Sequence, residues 1–199
     1  MLNLGNRDWF GMTTGKLVIG LTGMPGSGKS LAVEAAKELG YEVVTMGDVI
    51  REETGKRGLE LNPKNMGEMM LRLRAEGGDT IVAEKCIPKI MEKQGRRVVV
   101  DGLRSYVEAE TFKKRLSNFV LVTVHSSPQI RFERLSTRGR SDDPKTWKVF
   151  KERDMRELGV GIGNAIALAE YVIINDSTKE GLTTQAAEVL KEVEEKWTK

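Results

Sequence analysis

The chain is poor in the residues that staple or chelate. Of its 199 residues, one is cysteine, Cys86, and one is histidine, His125. A single thiol excludes an internal disulfide, and one cysteine with one histidine cannot furnish a structural zinc site. No apolar run approaches the ~20 residues that cross a bilayer, so no membrane partner is expected. Met1 to Gly15 lack the basic start and long apolar stretch of a secretory signal. They read as a flexible N-terminal tail, with Met12 as an alternative start. A lone cysteine without such a signal points to a reducing, cytoplasmic setting. Aromatic residues are 6% and the formal charge is only +3, so charge makes no case for a polyanion-binding surface. Nucleic acid is therefore not an expected partner, and the oligomeric state is not legible.

What the chain does have is a balanced globular composition, 39% hydrophobic and 31% charged with both signs interspersed. That suits one domain over residues 1–199 with a full core. Its most informative stretch is Gly23-Met24-Pro25-Gly26-Ser27-Gly28-Lys29-Ser30, which fits G-x-x-x-x-G-K-[ST]. Lys16 to Thr22 before it reads as a short buried strand. Ser30 to Leu39 after it carries Leu31, Ala32, Ala35, Ala36 and Leu39 at helical spacing, closed by Gly40. Strand, glycine loop and helix in that order make a phosphate cradle. Small residues let backbone N–H groups converge, and the helix N-terminus adds its positive dipole end. A lysine in the first helical turn conflicts with that dipole unless an anion is bound. Lys29 then suits the β- and γ-phosphates of ATP, and the Ser30 hydroxyl suits Mg2+.

Strands and helices alternate, which predicts a mostly parallel sheet with helices on both faces. The further strands are Tyr41–Met46, Arg97–Asp101, Phe119–Val124 and Tyr171–Asn175, giving five. A helix begins near Gly47-Asp48, with Asp48 able to cap it. Asn62-Pro63 reads as an N-cap followed by proline at the first helical position. Met66, Met69, Met70 and Leu73 form a core stripe, Gly77-Gly78 break that helix, and Asp79 opens another reaching about Gln94. Arg131 to Arg156 is mainly helical with a break from Arg138 to Lys145. The last helix places Leu182, Ala186, Leu190, Val193 and Trp197 on one face.

Asp101 ends an apolar strand, where a P-loop protein keeps a second carboxylate to organise Mg2+ beside Ser30. In Asp101-Gly102-Leu103-Arg104 the glycine permits close backbone approach and Arg104 projects over the C-terminal sheet edge. Gly47-Asp48-Val49-Ile50-Arg51 follows the second strand in the same way. Two arginines converging there suit a second phosphate group through their planar donor forks. Either alone is an ordinary solvated charge.

Thr45 to Glu53 resembles the T-G-D-hydrophobic-hydrophobic-R segment of nucleoside monophosphate kinases. Asp101-Gly102-Leu103-Arg104 resembles their D-G-F-P-R without the proline. Glu133-Arg134-Leu135-Ser136-Thr137-Arg138 is similar to their D-R-x-x-x-R, and Arg140-Ser141-Asp142-Asp143 to their lid element R-x-D-D. The likeness runs from Lys16 to Ser177, and is strongest to an archaeal group of nucleotide-kinase-like P-loop proteins. Ala169 to Asp176 resembles instead the A-D-Y-V-I-x-N-D close of dephospho-coenzyme A kinases.

The resemblance implies a P-loop NTPase fold with a helical acceptor-binding insertion, residues 48–95, and a short lid, residues 134–153. It implies that Gly23 to Ser30 and Arg134 bind ATP, with Arg134 stacking beside the adenine. Lys29, Arg104, Arg138, Arg140 and Asp101 would serve transfer, with Arg153 closing over the phosphate. Asp48, Arg51, Arg104 and Glu108 would meet a small nucleotide-like acceptor. Adenylate kinases have glutamine at the place of Glu108. A carboxylate only accepts hydrogen bonds, so it would favour guanine or cytosine over adenine; an exposed Glu108 without a ligand role is the equal alternative. About half of the arginines from Arg131 to Arg156 would serve only as surface ion-pair partners of Glu133, Asp142, Asp143, Glu152 and Asp154. The function expected is ATP- and Mg2+-dependent phosphotransfer. Two rivals stay open: dephospho-coenzyme A kinase with Asp48 as base, and an ATP-driven assembly or switch factor.

Overall fold

The computed structural model describes residues 15–140, 143–176 and 178–198. The tail expected before Gly15, the alternative start at Met12, and Ser141 and Asp142 of the lid element lie outside the described residues.

Five strands, β1 (Leu17–Thr22), β2 (Glu42–Thr45), β3 (Arg97–Leu103), β4 (Phe119–His125) and β5 (Tyr171–Ile174), form one parallel sheet in the order β2-β3-β1-β4-β5. Around it run α1 (Lys29–Glu38), α2 (Met46–Lys56), α3 (Pro63–Gly77), α4 (Ile81–Glu92) and α5 (Tyr106–Arg115). Then come α6 (Pro128–Arg138), α7 (Trp147–Val160), α8 (Ile162–Ala167) and α9 (Lys179–Trp197). The central strands are apolar at successive positions because both faces are covered. Val18, Val98, Val100 and Leu121 point into a core with α2, α3, α4, α5 and Ala165 of α8. Leu17, Ile19, Leu21, Val99, Val122 and Ile173 point the other way, against α1 and α9. Each fully buried side chain of that kind contributes about 1.5–3 kcal/mol.

Every strand expected from the sequence is present, shifted at its ends by a residue or two. The largest difference is at β3, which continues to Leu103. Asp101 pairs with Leu21 but Leu103 pairs with Thr22, so Gly102 is an extra residue at φ 99°. The Thr22 hydroxyl then donates to the Leu103 carbonyl at 2.9 Å. Gly102 is thus needed for its left-handed backbone; a Cβ there would meet nothing closer than 3.9 Å, so the close approach expected of it is absent.

Helix starts differ more. Asn62 caps α3 as expected, accepting from the Asn65 N–H at 2.9 Å ahead of Pro63. Asp48 caps nothing: α2 starts at Met46 behind Thr45, and Asp48 sits in its first turn, paired with Arg51. Asp79 does not open α4 either; Thr80 precedes Ile81 as N-cap, without a side-chain cap bond. The sequence reading locates no helix between β3 and β4, yet α5 lies there. Its inner face combines Ala109 and Phe112 with Glu108 and Thr111, and those buried polar residues hide the helical period. The break expected at Arg138 to Lys145 separates α6 from α7, and α9 buries the predicted Leu182, Ala186, Leu190 and Val193.

Candidate functional site

The loop between β1 and α1 lies where the C-terminal ends of β1, β3 and β4 meet. Gly23, Gly26 and Gly28 all have positive φ, at 144°, 82° and 105°. None tolerates a side chain. A Cβ at Gly23 would sit 2.3 Å from the Val124 carbonyl oxygen, and one at Gly28 would sit 2.1 Å from Asn175 Nδ2. At Gly26 it would lie 2.9 Å from the Arg131 carbonyl oxygen. The backbone therefore turns inward as a bare cradle. The first turn of α1 holds no acidic side chain, so its dipole end is not neutralised from within.

Lys29 Nζ donates to the Gly23 carbonyl, curling across the loop. Its pKa is lowered to about 8, first by desolvation; Asp101 and Glu157 oppose the shift, and Arg104 and Arg131 add to it. Ser30 is exposed at the helix start. Asp101 carries one buried carboxylate oxygen without a hydrogen-bond partner. Its pKa is raised by desolvation, which Lys29 and Arg104 counter and Asp48 reinforces. An enclosed, unpaired oxygen beside a lysine fits a carboxylate that orders water around a cation, and the Ser30 hydroxyl is free of a cap role. The residues present thus fit Mg2+ at Ser30 and Asp101.

The arginines are held by acids. Arg104 Nη1 lies 3.0 and 3.2 Å from the two oxygens of Glu157 on α7. Arg51 pairs with Asp48, both half exposed. Arg138 grips Asp143 through two nitrogens, at 3.1 and 2.5 Å, and Asp143 also accepts the Arg140 N–H at 2.9 Å. Arg153 Nη1 lies 3.9 Å from the same carboxylate. The Asp143 pKa is lowered, chiefly by the Arg138 hydrogen bond. Arg138, Arg140 and Arg153 are therefore gathered on one nearly buried acid, Arg140 through its backbone while its side chain is exposed.

Arg134 donates to Ser126 Oγ at 3.2 Å and to the backbone and side-chain oxygens of Asn175 at 3.1 and 3.2 Å. Asn175 in turn donates from Nδ2 to the Ser27 carbonyl at 2.7 Å. Arg134 is thus bound to the floor of the loop through Nη1 and Nη2.

Glu108 is the clearest correction. Its side chain is 1% exposed, so the solvent-facing alternative fails. Its Oε2 accepts from the Arg104 and Ser105 N–H groups at 2.8 and 3.2 Å, and Oε1 accepts from Arg74 at 2.9 Å. With Ser105 it forms a reciprocal capping box at the start of α5. A carboxylate this buried, with both oxygens engaged within the protein, offers no open edge to a base, so the preference for guanine or cytosine expected from Glu108 has no support in the structure.

Two residues escaped the sequence reading. Arg131 is buried, donates to the Pro25 carbonyl at 3.2 Å, and pairs with Asp154 at 2.9 and 2.6 Å. Glu157 lies three residues beyond Asp154, on the same face of α7. The spacing of those two acids was the only available signal, and it is common on surface helices.

Comparison with known proteins bears on the family and the fold. A protein-family profile described as "AAA domain" matches residues 22–151, from the glycine loop into α7. The UPF0200 protein of Methanocaldococcus jannaschii is 49% identical over 179 residues, covering 89% of this chain and 90% of the relative. That of Thermococcus onnurineus is 45% identical over 181 residues, covering 89% and 98%. The chain belongs to the UPF0200 proteins. Among solved structures, this UPF0200 chain shares its fold with shikimate kinase from Bacteroides thetaiotaomicron, at TM-score 0.62 and 15% identity over 89% and 98% of the two chains. A gluconokinase from Sinorhizobium meliloti follows at TM-score 0.55 and 15% identity, covering 90% and 94%. The fold is a P-loop kinase-like one. Among the described residues no helix is long and apolar enough to cross a membrane.

Proposed function

We propose that this UPF0200 protein is an ATP- and Mg2+-dependent phosphotransferase that moves the γ-phosphate to a small acceptor, a nucleotide in the first reading. The observation that carries the proposal is the cradle itself: three glycines that admit no Cβ, around a lysine whose pKa is lowered by burial in spite of the nearby Asp101 and Glu157 carboxylates.

The geometry supports the following roles. Backbone N–H groups of Gly26 to Ser30 would hold the β- and γ-phosphates, with Lys29 as a point charge. Ser30 and Asp101 would hold Mg2+, which when bound neutralises phosphate charge. Arg104 faces the acceptor side from the end of β3. Arg138, Arg140 and Arg153 would come from the lid, residues 134–153, with Arg138 and Arg153 leaving Asp143 for the phosphate oxygens. Phosphoryl transfer depends on in-line placement and charge neutralisation more than on a base, and one well-placed arginine can supply ~10³–10⁵ in rate. Residues 48–95, which hold most of α2 and all of α3 and α4, would form the acceptor side, with Arg51 and Asp48 at its edge. Closing both regions would exclude water from the donor.

One observation favours a second reading. Asp48 is half exposed in the first turn of α2, just beyond β2, and acts electrostatically on Asp101. A carboxylate so placed can take the proton of an attacking hydroxyl, as a dephospho-coenzyme A or other hydroxyl acceptor requires. Labelled ATP with nucleoside monophosphates, dephospho-coenzyme A, small hydroxy acids and no acceptor separates these readings from an ATP-driven switch. Lys29→Ala, Arg104→Ala and Arg138→Ala are expected to abolish transfer in folded protein; wild-type turnover by all three removes the proposal.

A further inference from the structure

Glu157 is placed with more care than a surface ion-pair partner needs. Its side chain is 13% exposed, whereas that of Arg104 is 46% exposed. Helix α7 ends on Gly161, its C-cap at φ 103°, which lies against Ser105, where an added Cβ would be 3.5 Å from the serine Cβ. The end of α7 is therefore seated on the residue that follows Arg104. Asp154, one turn earlier, fixes the same helix face through Arg131 to the Pro25 carbonyl. The helix that carries the carboxylate is anchored on both sides of it, and the guanidinium is the more exposed partner. Glu157 also acts on Lys29, so it lies near both cations that would serve the transferring phosphate.

The grip is incomplete in an informative way. Both Glu157 oxygens meet the same nitrogen, Nη1 of Arg104, whereas the strong carboxylate or phosphate pairing uses two guanidinium nitrogens in a fork. An arriving anion that uses the fork can displace it.

We propose that Glu157 is an internal stand-in for an anionic group on the acceptor, either carboxylate or phosphate, and that it keeps Arg104 from the γ-phosphate until such a group draws the guanidinium off Glu157, holding two of its nitrogens and leaving the third for the γ-phosphate. Transfer to water is thereby restrained while the acceptor is absent. This rests on the kinase reading above, but its test needs no knowledge of the acceptor.

The experiment measures phosphate release from Mg2+-ATP by the full chain without acceptor. In that reaction a water oxygen bonds to the γ-phosphorus, the bond to the β–γ bridging oxygen breaks, ADP leaves with the electron pair, and the proton passes to solvent. Glu157→Gln keeps the shape and removes the charge. It is expected to raise release roughly tenfold or more, within the ~10³–10⁵ that one arginine can contribute, with nucleotide affinity and thermal midpoint near wild type. Arg104→Ala combined with Glu157→Gln is expected to cancel the rise. Glu157→Asp, which shortens the reach, should be intermediate and carries the test should the glutamine variant not fold. Millimolar acetate or methyl phosphate added to wild type should raise release toward the variant level, whichever class of anion opens the pair. Release at or below wild type in Glu157→Gln, a rise that persists without Arg104, or stimulation by neither anion overturns the proposal. Failure of the wild type to bind Mg2+-ATP would instead overturn the kinase reading.

Discussion

Arg131 donates to both carboxylate oxygens of Asp154, at 2.9 and 2.6 Å, and the same Nη1 also donates to the Pro25 carbonyl at 3.2 Å. One buried guanidinium therefore joins α7 to the phosphate loop, with its plane also lying over Phe150 at 5.0 Å from the ring centroid. Asp154→Ala would leave that charge enclosed and unpaired. We expect a loss of about 3–5 kcal/mol in unfolding free energy, read by urea denaturation. Asp154→Asn, which can still accept one hydrogen bond, should lose less. Equal stability of Asp154→Ala and wild type would refute the account of this contact.

Gly28→Ala tests the loop from the opposite side. Its Cβ would need to occupy a point 2.1 Å from Asn175 Nδ2, at a φ of 105° that alanine rarely adopts. Strain of about 1–3 kcal/mol is expected, together with loss of Mg2+-ATP affinity by at least about tenfold, since both the backbone donors and the Asn175–Ser27 bond must shift. Nucleotide titration checks it.

Lys29 predicts a pH dependence whose sign is fixed. Desolvation lowers its pKa from 10.5 to about 8, so the folded chain releases this proton earlier than the unfolded chain. The group disfavours folding below pH 8, and that penalty disappears as pH rises from about 8 toward 10.5. Bound phosphate would favour the charged amine and raise the pKa again. Affinity for Mg2+-ATP should therefore be level below pH 7 and fall above pH 8, by at most about tenfold per pH unit. Calorimetry at pH 8.5 in buffers of different ionisation enthalpy should detect proton uptake on binding, and Lys29→Met should abolish it.

Glu108→Ala separates a structural carboxylate from a substrate-reading one. It removes the capping box of α5 and leaves Arg74, 13% exposed, without its acid. Stability should fall by about 3 kcal/mol while the ranking of acceptors stays the same. A changed ranking in a variant of near-native stability would restore Glu108 to the acceptor site.

The sequence makes the sheet and the phosphate loop readable for the same reason: local pattern decides them. β1 and β3 are continuous apolar runs because both faces are covered, and Gly23, Gly26 and Gly28 mark backbone that no other residue can adopt. Asp101 and Arg104 stand out in the sequence by their position at the end of an apolar strand. What the sequence hides is which charges meet. Glu108 matches a ligand position by spacing, yet its carboxylate turns inward to cap α5, because three N–H donors converge on it. Arg131 and Glu157 have no motif of their own; their importance comes from α7 crossing the site some twenty residues later in the chain. Asp48 resembles a cap in the sequence because a carboxylate in the first turn and one at the N-cap differ by only a few positions.

Calorimetric titration of Mg2+-ATP into the full chain and into Lys29→Ala tests the central claim most directly. The account predicts saturable one-to-one binding by the wild type and its loss in the folded variant. Absence of binding by folded wild-type protein at millimolar Mg2+-ATP, or equal binding by both proteins, would contradict it.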